Sequence, residues 1–173
     1  VDGGTIPGTA KYHMKLYSTE ATALADTYTL KANAISQSWV EGTGRFIDKP
    51  AVTNGVSWEY TDTDYTSSIW ASSSLASSGS RPTAGGGMYY TGSGYEASQS
   101  FSYSEADMDV DITHIVTKWL DSTYANNGLI LQHSTEPTTL VDDSEGRNLK
   151  FFSRNTHTIY FPRLVAKWDD NTY

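Results

Sequence analysis

Apolar and polar positions alternate over the first third of the chain. Tyr12, Met14 and Leu16 are interleaved with Lys11, His13 and Lys15, the period-2 pattern of a strand with one wet face. Tyr28, Leu30, Ala32 and Ala34 repeat that pattern, with Thr27, Thr29, Lys31 and Asn33 opposite. The polar, Ala-rich stretch from Ser18 to Asp26 reads as the connection between them. Ile35 to Val40 extends the second strand until Glu41-Gly42-Thr43-Gly44 forces a turn. Val56 to Tyr60 suggests a short strand after Asn54-Gly55, and Ala97 to Tyr103 alternates with Phe101 and Tyr103 on one face.

The period then changes. Ile112, Ile115, Val116, Trp119 and Leu120 follow the i, i+3, i+4, i+7, i+8 spacing of one helix face, which predicts a short amphipathic helix over about 111–122. Asp111 is the expected N-cap, offering a carboxylate to amides that have no intrahelical partner. Asn126-Asn127-Gly128 ends the helical segment. Leu129-Ile130-Leu131, Leu149 to Ser153 and Arg163 to Trp168 then read as strands. Pro162 stands at the entry of the last one, where its missing donor costs least. Many short strands, long polar loops and one helix predict an all-β fold, an antiparallel β-sandwich closed at one end by the helix. The 173 residues suit one domain, 1–173.

Composition adds a second theme. About a quarter of the chain is Ser and Thr, and Arg45 to Glu96 is mostly loop, with Ser72-Ser73-Ser74 and Gly85-Gly86-Gly87 within it. A compositional linker is poor in aromatics. This stretch instead carries Tyr65, Trp70, Tyr89, Tyr90 and Tyr95, so it reads as an ordered loop facing outward. Its rings are the candidate contact residues, for the sugar rings of a glycan or for a partner subunit. Trp39, Trp58, Trp119 and Trp168 are expected in the core.

Twelve Lys and Arg against 20 Asp and Glu give a net charge of −8, which argues against a phosphate backbone as partner. No apolar run is long enough for a membrane span, and with no Cys the chain forms neither disulfides nor thiolate metal sites. The histidines at 13, 114, 133 and 157 show no metal-ligand spacing, and His114 is expected on the solvated side of the helix. No nucleophile elbow, zinc-protease or phosphate-loop motif is present, so no catalytic residue is assigned. Asp107, Asp109 and Asp111 alternate and face one side of an extended segment. Their spacing lacks the Gly and distal Glu of a Ca²⁺ loop, so a structural role is favoured over Ca²⁺ binding, and no other cofactor is expected.

The order of these elements resembles the DNRLRE-type β-sandwich family, which includes carbohydrate-binding modules and cell-surface or virion domains. The residues that carry the resemblance are Ser38-Trp39 with Glu41-Gly42-Thr43-Gly44, Gly55-Val56-Ser57-Trp58, and Asp111-Ile112-Thr113 with Val116 and Trp119. Asn127-Gly128-Leu129-Ile130-Leu131, Lys150-Phe151-Phe152-Ser153-Arg154 and Pro162-Arg163-Leu164-Val165 follow. The segment from Phe151 to Asp170 is most similar to structural proteins of tailed bacteriophages. The resemblance implies a jelly-roll-like sandwich, a non-enzymatic role in assembly and a virion location. Its partners would be other virion subunits, copies of itself or host-surface polysaccharide, with no membrane insertion. The alternative it implies is a carbohydrate-binding module of a secreted or cell-surface protein. Family members usually begin with further strands before the segment matching Ala10 to Leu16. Val1 is therefore read as a processed start or as part of a longer chain, with a neighbouring segment expected to complete the sheet.

Overall fold

The computed structural model describes residues 6–22, 27–44, 48–50, 52, 54–57, 60–62, 70, 87–102, 107–134 and 148–169. In chain order its elements are β1 (Lys11–Leu16), β2 (Ser18–Thr22), β3 (Thr27–Ala34), β4 (Glu96–Ser102), β5 (Met108–Asp111), α1 (Thr113–Leu120), β6 (Leu129–His133), β7 (Asn148–Phe151) and β8 (Arg163–Lys167). All strand pairings are antiparallel. One sheet has the order β5-β1-β8, a second β4-β3-β6, and β2 pairs with β7. The fold is all-β and sandwich-like, as the alternation predicts.

The two three-stranded sheets face each other across one core. Leu16, Met108 and Val110 approach it from the first sheet, and Leu30, Ala32, Ala34, Ala97 and Phe101 from the second. Small residues on β3 let the opposing layer come close, while Phe101 fills the remaining depth and stacks on Tyr28 at 4.9 Å between centroids. Ile112, Ile115 and Val116 are buried at the same core, so α1 closes it with the face its periodicity specifies. Trp119 packs against the core half-buried, whereas Leu120 is 69% exposed. The apolar stripe therefore ends one residue earlier than its spacing suggests.

Several expectations are corrected. Asp111 is the last residue of β5, not the helix N-cap. That position belongs to Ile112, which makes no side-chain cap bond. The Asp111 carboxylate still serves the helix start, accepting the Thr113 amide at 2.8 Å together with the Thr113 hydroxyl in an Asx-type turn. His114 is half-buried, with Nε2 2.9 Å from the Glu96 carbonyl, so it ties α1 to β4 instead of standing in solvent. Asn33, expected on the wet face, is buried. Its amide donates to the Tyr90 carbonyl and Glu96, and its oxygen accepts from Gln132. A segment folded over β3 covers that face, and a satisfied amide is tolerated there. Ser18–Thr22 is a strand and not a connection.

The two ends of the chain build one long ladder. The Ser18 amide turns toward β5, where the Asp107 carboxylate accepts it at 2.9 Å. The neighbouring Tyr17 carbonyl turns the other way and accepts the Phe152 amide at 3.0 Å. β7 therefore lies on the same side of the β1–β2 line as β8, and both run antiparallel to it. Residues 152–162 are an excursion that leaves this ladder at Tyr17 and returns at Arg163.

Candidate functional site

The described residues of the Arg45–Glu96 stretch are laced to the rest of the chain by their backbone. The Val56 amide donates to the Val40 carbonyl and the Val40 amide to Thr61. The Ser57 amide donates to the Tyr60 carbonyl, and Val56–Tyr60 forms no strand among its described residues. Gly42 and Gly55 cross backbone to backbone, and a Cβ on Gly55 would lie 2.5 Å from the Gly42 Cα. Both also have positive φ, so two of the turn glycines do steric as well as conformational work.

This lacing scatters the expected contact residues. Trp70 is 5% exposed and packs with Ile35, Met88 and the half-buried Ile130 in a second, smaller core, its indole N–H donating to the Ser57 carbonyl at 3.1 Å. It is an anchor that holds the loop, not an outward-facing ring. Tyr89 is half-buried and forms a β-bridge with Ile35. Tyr90 and Tyr95 do come together, with ring centroids 5.0 Å apart. Tyr124, just after α1, completes the group at 5.0 and 5.5 Å. Lys118 lies 4.5 Å over the Tyr95 ring, a cation–π contact. Burial, then the neighbouring Tyr95 and Tyr90, push the Tyr124 phenol up to about 12, so it stays neutral. Tyr65 lies outside the described residues, as do Trp58 and Tyr103. Among the other tryptophans expected inside, Trp39 and Trp168 are exposed, Trp39 donating to the Asn127 carbonyl at 2.8 Å.

The acidic column along β5 is engaged by protein donors. Asp109 meets His13 at 2.7 Å, Lys15 at 2.9 Å and Lys167 at 3.6 Å. Partial burial pushes its carboxyl up, but the hydrogen bonds from Lys15 and His13 outweigh that and hold it below the usual carboxylate value. Asp111 is also held low, because its bonds to Thr113 outweigh burial. Hydrogen bonding to Asp109 raises the Lys15 ammonium in turn. Among the described residues, no group of three or more His, Cys, Asp or Glu is placed to hold a metal ion.

The surface that sequence reasoning missed is the 152–162 excursion. Tyr160 meets Tyr17 edge-on at 5.4 Å and stacks on Phe152 at 5.8 Å. Arg163 lies 4.7 Å over the Phe161 ring and donates to the Ile159 carbonyl. Phe161 and Tyr160 are exposed, as is Ile159 beside them. These rings sit on the strand side where β8 begins, and together with β8 they form the largest run of exposed apolar side chains among the described residues. The alternation over 163–168 marks a strand, but no local pattern says which of its faces goes uncovered.

No described helix is long and apolar enough to cross a membrane. Comparison with protein-family models, curated proteins and solved structures finds no match for this chain.

Proposed function

We propose that this chain is a non-enzymatic structural protein of a phage particle, in its tail, baseplate, fibre or surface decoration, where it makes assembly contacts and meets host glycans. The observation that carries the reading is the concentration of exposed apolar residues at Ile159, Tyr160, Phe161, Leu164 and Trp168, in and just before β8 and directly after it. Exposed apolar patches of this kind mark interaction surfaces. The five residues fall within the segment that carries the resemblance to phage structural proteins, which supports the reading. Extracellular location follows from the particle.

Purified particles from the source that encodes the chain test this directly. Mass spectrometry should find the chain at stoichiometric abundance, and labelled antibody should decorate one site per repeat in electron micrographs. Its absence from particles would remove the assignment.

One observation favours the alternative, a carbohydrate-binding module of a secreted or cell-surface protein. Tyr17, Phe152 and Tyr160 form a partly exposed ring group of the kind that stacks on sugar faces. Selective retention of the isolated chain on a glycan array, lost in Tyr160→Ala, would favour that module.

A further inference from the structure

Five of the eleven exposed large hydrophobics among the described residues lie between Ile159 and Trp168. The most telling is Leu164. It sits opposite Met14 in the β1–β8 register, on the face that Met14, Leu16 and Val110 turn toward the core. It is nevertheless 59% exposed.

Among the described residues, the outer edge of β8 has no strand beside it. The Tyr12 carbonyl accepts the Ile112 amide at 2.8 Å, so Tyr12 turns its backbone groups toward β5. By alternation Lys11, His13 and Lys15 turn theirs toward β8, and their register partners Lys167, Val165 and Arg163 answer them. The N–H and C=O groups of Leu164 and Ala166 therefore point away from β1. No described strand pairs with that edge. Pro162 also falls on an outward position and has no donor, which keeps the open ladder short.

Charge decides what fits there. Arg163 and Lys167 flank Val165 on the outer face. An antiparallel second copy centred on Val165 would set each Arg163 opposite the other copy's Lys167, a repulsive arrangement. The complement is a strand that is acidic outside and apolar inside. The other edge of β1 already holds one. β5 and the residue before it read Asp107-Met108-Asp109-Val110-Asp111, with Met108 and Val110 buried and Asp109 bonded to His13 and Lys15.

We propose that the open edge of β8 accepts an extended strand from a different protein, its acidic residues facing Arg163 and Lys167 and its apolar residues covering Leu164. This names the partner chemistry for the assembly role proposed above, and rests on it. Main-chain pairing would supply affinity and the alternating side chains the register.

The probe is an amidated peptide with the sequence of residues 106–112, Ala-Asp-Met-Asp-Val-Asp-Ile, added in excess to the full chain. Amide hydrogen exchange should slow at Leu164 and Ala166, with little change at Val165. Binding should weaken about tenfold or more on moving from low to high salt, because the charge contacts are exposed. A peptide with Lys replacing each Asp should give no protection. The double variant Arg163→Glu, Lys167→Glu should reverse the preference between the two peptides. Absence of protection by the acidic peptide, or equal protection by both on the unaltered chain, would overturn the proposal. So would a dimer in sedimentation that protects the same two amides, since the occupant would then be a second copy. Protection by the acidic peptide in a chain absent from purified particles would uphold the edge and remove only the particle assignment.

Discussion

The indole N–H of Trp70 donates to the Ser57 carbonyl at 3.1 Å, and that bond completes a buried ring packed among Ile35, Met88 and Ile130. The hydrogen bond satisfies the one polar atom of the ring, so burying its apolar area carries no penalty for an unpaired indole N–H. Gly87, with φ of +80°, brings the chain against the same ring, and a Cβ there would lie 3.9 Å from it and 3.4 Å from Ile130.

Trp70→Ala should therefore destabilise the protein by about 3–5 kcal/mol, the usual cost of emptying a buried aromatic site. Trp39→Ala, at an exposed ring, should cost less. Thermal or denaturant unfolding of the two variants checks the ordering. Equal losses would mean that the Trp70 site collapses around the deletion or that Trp39 carries more packing than its exposure shows.

Asp111→Ala should cost about 1 kcal/mol by leaving the Thr113 amide without its side-chain acceptor. Asp111→Asn keeps an acceptor and should cost less. Denaturant midpoints of the pair measure this. If chelator treatment lowered the stability of the unaltered protein and Asp111→Ala abolished that effect, Asp111 would instead be a cation ligand.

Acid should loosen the outer face of the β5-β1-β8 sheet. Asp109 and Asp111 are both held below the ordinary carboxylate value of 3.8. A carboxyl that is more acidic folded than unfolded stabilises fully above its unfolded value. That contribution is lost as pH falls through the folded value. The melting temperature should thus be flat through the mildly acidic range and drop below about pH 4. Asp109→Asn should make the drop shallower while lowering stability at neutral pH. A variant with an unchanged acid slope would show that the His13–Lys15–Lys167 contacts do not set it.

The sandwich was legible where one face of a strand is dry. Tyr12-Met14-Leu16 and Tyr28-Leu30-Ala32-Ala34 announce β1 and β3 because each alternate side chain must leave water. β2 was not, since Ser18-Thr19-Glu20-Ala21-Thr22 has no dry face to write in sequence. Its strand state comes from pairing with β7, over 120 residues away. Trp70 fails for a related reason. Its neighbours are Ser-rich and without period, and its burial is created by Ile35, Met88 and Ile130 from three other segments. The expected contact loop was thus read from composition alone, and composition does not say which rings turn inward. The excursion that bears Tyr160 and Phe161 has no period of its own, and an apolar run beside a strand does not say where the covering layer stops short.

On the proposed reading contacts are made by the β8 side, whereas Trp70 anchors the segment that carries it. Incorporation of tagged variants into particles, measured alongside their melting temperatures, tests it most directly. Phe161→Ala with Leu164→Ala should melt within a few degrees of the unaltered chain, as surface changes do. It should still lose incorporation by about tenfold or more, as truncation of interface anchors does. Trp70→Ala should lower the melting temperature while its folded fraction still incorporates. Normal incorporation of the Phe161/Leu164 double variant would contradict the account.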